Sequence, residues 1–108
     1  MNHNKTEFYG GIIGKSGKYQ GYGYPLKRKE QVFFQGYDEQ VEISKVESEN
    51  SVASVFYVPE YDEYCFEPFY SLTCYLISGQ PLGKERCYYL PRGTQVYVFD
   101  RNNHFELA

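Results

Sequence analysis

Between Leu90 and Leu107, apolar residues recur at every second position on either side of a polar tetrapeptide. Val96 and Val98 share one face of a strand, and Gln95, Tyr97 and Phe99 take the other, because successive strand side chains point to opposite sides. Asp100-Arg101-Asn102-Asn103 reads as a turn, since Asn and Asp side chains bond nearby backbone and accept left-handed angles. Phe105 and Leu107 then resume the inward alternation. This period suits a hairpin and no helix. It has an earlier counterpart: a shift of 64 positions brings Leu26, Arg28, Gln31, Val32, Glu42 and Ile43 onto Leu90, Arg92, Gln95, Val96, Glu106 and Leu107. Phe33 then meets Tyr97, and Val41 meets Phe105. The alternation requires Val32, Phe34, Val41, Ile43, Val96, Val98, Phe105 and Leu107 to face a core.

The rest of the chain also reads as strand and turn. Residues 8 to 25 carry six glycines, and glycine opposes helix by about 1 kcal/mol each. Short strands and turns are expected there, with tyrosines between glycines. Gln31 to Gln35 and Gln40 to Ile43 form the first hairpin around Gly36-Tyr37-Asp38-Glu39. Val52 to Val58 is apolar on both faces, which marks an interior strand ending at Pro59. A further strand is expected over Leu72 to Ile77. The aromatic share of 19%, with 13 Tyr, 8 Phe and no Trp, fits pleated surfaces. The expected fold class is all-β, in one compact domain over 1–108.

Leu-x-x-Gly-Thr-x-Val-x-Val, a short polar turn and aromatic-x-Leu, as they stand at 90–107, resemble the middle of a bacterial SH3-like (SH3b) repeat. Residues 26 to 43 resemble it more loosely, with Lys29 replacing the glycine, and Val55 to Tyr61 is similar to the closing segment. The family's common tryptophan is absent, and the second copy has no closing strand. The resemblance implies a small SH3-like β-barrel or sandwich, with hairpin-based half-repeats at 8–61 and 69–108 as an internal duplication. It carries over no ligand.

Charge is sorted along the chain. Residues 1 to 29 hold Lys5, Lys15, Lys18, Lys27, Arg28 and Lys29 against Glu7. Residues 30 to 67 hold ten acids against Lys45 alone, a net of −9 hidden within an overall −3. The densest part interleaves acids with aromatics, and Glu60, Tyr61, Asp62, Glu63, Tyr64, Glu67 and Tyr70 are the candidate binding residues. Such a surface attracts a basic partner at long range and holds it with tyrosines of low entropy cost. The functional expectation is a non-catalytic protein-binding domain. One form of it is an inhibitor of the immunity or phage anti-defence type that occupies a basic surface. An SH3-like adaptor or ligand-binding module is the first alternative. The second is single-stranded nucleic-acid binding through Lys15, Lys18, Tyr19, Tyr22 and Tyr24.

Catalytic and metal motifs are weaker. Gly10 to Ser16 approaches a phosphate loop, but Tyr9 stands six positions before Lys15 where glycine is needed, and later glycines forbid the helix. Cys65, Cys74, Cys87 and His104 lack the paired spacing of zinc knuckles, so neither metal nor cofactor is expected. His104 with Lys84 or Arg92 is the one conceivable ribonuclease set. His3 falls in the polar N-terminal stretch. Asn4-Lys5-Thr6 matches a glycosylation triplet by accident. The polar start and unpaired cysteine spacing lead to the expectation of a cytoplasmic protein with all three cysteines reduced.

Overall fold

The computed structural model describes residues 8–108; His3, Lys5, Glu7 and the triplet at 4–6 lie outside the described residues. Ten strands and one three-residue 3-10 turn (Gly17–Tyr19) follow in order. The strands are β1 (Phe8–Gly14), β2 (Gly23–Lys27), β3 (Val32–Tyr37), β4 (Gln40–Ser44) and β5 (Ser51–Val58), then β6 (Glu63–Pro68), β7 (Cys74–Leu76), β8 (Tyr88–Pro91), β9 (Thr94–Val98) and β10 (Asp100–Leu107). They form two five-stranded sheets: β2-β1-β10-β9-β7 (sheet A) and β4-β3-β5-β6-β8 (sheet B). Every strand pairing is antiparallel. No helix among the described residues is long and apolar enough to cross a membrane.

The sheets enclose one core. Ile12, Leu26, Val96, Val98, Phe105 and Leu107 come from sheet A; Val32, Phe34, Val55, Tyr64 and Phe66 come from sheet B. Phe34 joins the layers, with its ring 5.0 Å from that of Phe105 and 6.0 Å from that of Phe66. Seven of the eight residues assigned inward by alternation are buried; Ile43, on the edge strand β4, is half-buried. The strand apolar on both faces, β5, is the centre of sheet B, flanked by β3 and β6. Close approach between sheets explains one glycine. A Cβ on Gly10 would lie 2.3 Å from the Tyr64 hydroxyl oxygen. That hydroxyl accepts from the Gly11 N–H at 2.7 Å and is also in contact with the Ala108 carbonyl, pinning β6 to β1.

Two turns lie at positions related by the 64-residue offset. Lys29 (φ 58) and Gly93 (φ 89) occupy equivalent left-handed turns, each between a buried leucine, Leu26 or Leu90, and the next strand. At both turns the chain crosses between sheets, from β2 to β3 and from β8 to β9. Leu90-Pro91 therefore belongs to sheet B, apart from the β9–β10 hairpin it was expected to open. Beyond the turns the two segments differ. Val41 pairs with Gly36, whose counterpart is Asp100, yet Phe105 pairs with Val96, four positions earlier. Asp100 to Asn103, expected as the hairpin turn, instead lie within β10: the chain reverses at Phe99 (φ 68), residues 101–103 bulge, and the buried Asn103 amide donates to the Glu39 and Val98 carbonyls at 2.9 and 3.1 Å.

The cysteine expectation is overturned. Cys65 on β6 and Cys87, just before β8, form a disulfide with Cα atoms 5.9 Å apart. Both strands are adjacent and antiparallel, with Cys65 opposite Tyr89, so the two cysteines lie diagonally on one face. Cys74 is free and buried in the core. The pairing removes the argument from cysteine usage for a reducing compartment.

Candidate functional site

Sheet B has an unusual outer face. On β6 the even-numbered side chains, Tyr64, Phe66 and Pro68, are buried inward, so Glu63, Cys65 and Glu67 project outward. Register places Phe56, Cys65 and Tyr89 in one cross-strand row, and Val58, Glu63 and Pro91 in the next. Tyr61, in the turn after β5, packs edge-on against Tyr89 with ring centroids 5.7 Å apart. These two rings remain 63% and 53% exposed, and Phe56 and Val58 beside them are half-buried. Cys65 lies opposite Tyr89, and its disulfide to Cys87 holds the start of β8 against β6.

The turn that presents Tyr61 is braced from one side. Its backbone closes through Tyr61 N–H to Val58 O at 3.1 Å and Asp62 N–H to Pro59 O at 3.2 Å. Asp62, at φ 54, accepts from the Tyr57 hydroxyl and from Arg92 Nε at 2.6 Å. The Arg92 fork also donates to the Tyr57 hydroxyl and to the Ala108 carbonyl, each at 3.0 Å. The Tyr57 and Arg92 hydrogen bonds hold the Asp62 carboxyl below its usual range, while burial pushes the Tyr57 phenol up. A tyrosine on a turn fixed this way loses little freedom on binding.

The residues proposed for the acidic face do not form one surface. Tyr64 is fully buried and no part of a surface: its even position on β6 turns it into the core. Glu60 and Asp62 are exposed but paired, with Arg28 at 3.2 Å and Arg92 at 2.6 Å. Glu63 and Glu67 face outward with no ion pair among the described residues. Tyr61 is on the patch, whereas the exposed Tyr70 lies beyond the far end of β6, about 20 Å along a six-residue strand. Tyr89, Phe56 and Val58 were missed by sequence reasoning. The period-two parity of β5 and β8 was the signal that could have placed them.

The alternative set also divides. Lys18, Tyr19, Tyr22 and Tyr24 line one cleft, but Lys15 projects from the end of β1 and pairs with Glu106 at 3.4 Å. His104 is on the outer face of sheet A, opposite Tyr97, with Nε2 2.7 Å from Gln95 Oε1. Burial, with help from Lys15 and Arg101, lowers its pKa. Tyr97 stacks on Tyr75 at 4.9 Å and carries the Arg101 guanidinium 4.6 Å from its centroid. Arg92 is bonded at Ala108, about 13 Å along β10 from His104, so the two do not form the ribonuclease pair considered above. The zinc set is likewise split between a disulfide, the core and the surface. No group of three His, Cys, Asp or Glu among the described residues is placed to hold a metal. Gly10 to Gly14 lie within β1, and Ser16 caps the Arg101 carbonyl at 2.6 Å, so this glycine run forms no phosphate loop. Comparison of the chain with protein families, curated proteins and solved structures finds no match.

Proposed function

We propose that this all-β domain is a non-catalytic protein-binding module that uses the outer face of sheet B. The observation carrying this reading is the exposed Tyr61–Tyr89 pair, set on a braced turn and a disulfide-tied strand beside Phe56 and Val58. Aromatic anchors beside apolar neighbours match the composition of binding hot spots. Glu63 and Glu67 on the same face favour a basic partner. The finer form of the reading is an inhibitor that covers a basic channel on its target, as small immunity or phage anti-defence proteins do.

The test is affinity capture from the source cells, followed by binding kinetics on the captured protein at two ionic strengths. Association should slow as salt rises, and Glu63→Lys with Glu67→Lys should slow it further at low salt. Tyr61→Ala and Tyr89→Ala should act on dissociation, each costing more than about 1 kcal/mol. Unchanged rates in both variant sets would remove sheet B from the interface.

A further inference from the structure

A second surface surrounds the 3-10 turn and the start of β2. Lys18, Tyr19, Tyr22, Gly23 and Tyr24 line a cleft of about 380 Å³, within the size range of small-molecule sites. Its floor is fixed. The Tyr19 hydroxyl accepts from the Ile43 N–H at 3.0 Å, and its ring lies 6.2 Å from that of Phe105. Tyr24 is half-buried against the core. Tyr22 is different: its ring is 67% exposed, while its backbone is tied to Tyr19 and Gly14 at 2.8 and 2.9 Å. The glycines on either side leave the backbone there uncrowded, for a Cβ on Gly21 or Gly23 would meet no heavy atom within 4 Å.

Tyr24 also lines an adjoining cleft of about 440 Å³ with Lys27, Glu30 and Lys45. Glu30 spends one carboxylate oxygen on the Lys27 N–H at 3.0 Å and the other on Lys45 at 3.0 Å. The Lys27 ammonium has no ion pair among the described residues. An aromatic slot thus opens onto a pocket of net positive charge. We propose that this pair of clefts binds single-stranded nucleic acid. A base stacks on Tyr22 above the Tyr19–Tyr24 floor, and the adjacent phosphate lies between Lys27 and Lys45. Stacking reads the π-face that every base has, so the site tolerates sequence. The proposal uses none of the residues assigned to the protein-binding face.

Fluorescence anisotropy of the full chain with a short labelled oligothymidylate or oligouridylate tests it. Wild-type protein should bind, and the log–log salt slope should lie between about −0.7 and −1.4, as for one or two phosphates. Tyr22→Ala should weaken binding about tenfold, a typical loss for one stacked base. Lys27→Glu should weaken it too, with the melting temperature unchanged. Tyr61→Ala with Tyr89→Ala should bind the oligonucleotide like wild type, which separates this site from sheet B. Absence of oligonucleotide binding, or binding that survives both Tyr22→Ala and Lys27→Glu, overturns the proposal. So does loss of a protein partner, with oligonucleotide binding intact, in the cleft variants.

Discussion

The cysteines carry the sharpest claim at the scale of single residues. Denatured, unreduced protein should titrate one thiol and reduced protein three; three thiols without reductant would contradict the Cys65–Cys87 bond. The remaining Cys74 thiol is pushed up to about 12 by burial, so the native protein should resist alkylation at mildly alkaline pH. Closing a 22-residue separation should stabilise the fold by about 3 kcal/mol on the chain-entropy view, lost in a Cys65→Ser, Cys87→Ser variant. None of this was legible beforehand, because three cysteines allow three pairings and spacing does not choose among them. Tyr64 shows a different failure. Taken as one run, the acids and aromatics from 57 to 70 hide an alternation: Glu63-Tyr64-Cys65-Phe66-Glu67 sends its rings inward.

Elements were more legible where the alternation was clean. Val96, Val98, Phe105 and Leu107 fixed β9 and β10, and the apolar run of β5 placed that strand at the centre of its sheet. Pairing register was beyond reach, because it depends on turn geometry and on the bulge at 101–103. The β3–β4 turn offers a test. Asp38 and Glu39 both take left-handed angles, φ 50 and 65, as the turn of a two-residue hairpin requires and as glycine does without strain. Glu39→Gly keeps the carbonyl that Asn103 uses and should stabilise the domain by about 1 kcal/mol, raising Tm by roughly 4–8 °C. A lowered Tm would show that the turn is not of this type.

Across the whole molecule, folding remixes charges that are segregated along the chain. Lys18 meets Glu42, Arg28 meets Glu60, Glu30 meets Lys45 and Asp62 meets Arg92, so the acidic middle segment is partly neutralised. Sequence order could not show this, since the partners are brought together by strand crossings. Two of these carboxylates should shape acid stability. Asp62 is depressed by the Tyr57 and Arg92 hydrogen bonds, Glu30 by the Lys27 N–H and by Lys45. Their contribution is present above the unfolded pKa values, near 4, and is lost as pH falls through the lower folded values. Melting temperature should therefore drop below about pH 4, and Asp62→Asn with Glu30→Gln should flatten that limb. An unchanged limb in the double variant would assign acid unfolding to other groups.

Hydroxyl-radical footprinting of the free chain and of its complex with the captured partner tests the functional claim most directly. Tyr61 and Tyr89 are exposed and should react in the free protein, then lose most of that reactivity in the complex. Tyr37 and Tyr70, exposed away from the patch, should react equally in both. Protection of Tyr75 and Tyr97 on sheet A, with Tyr61 and Tyr89 still reactive, would contradict a contact surface on sheet B.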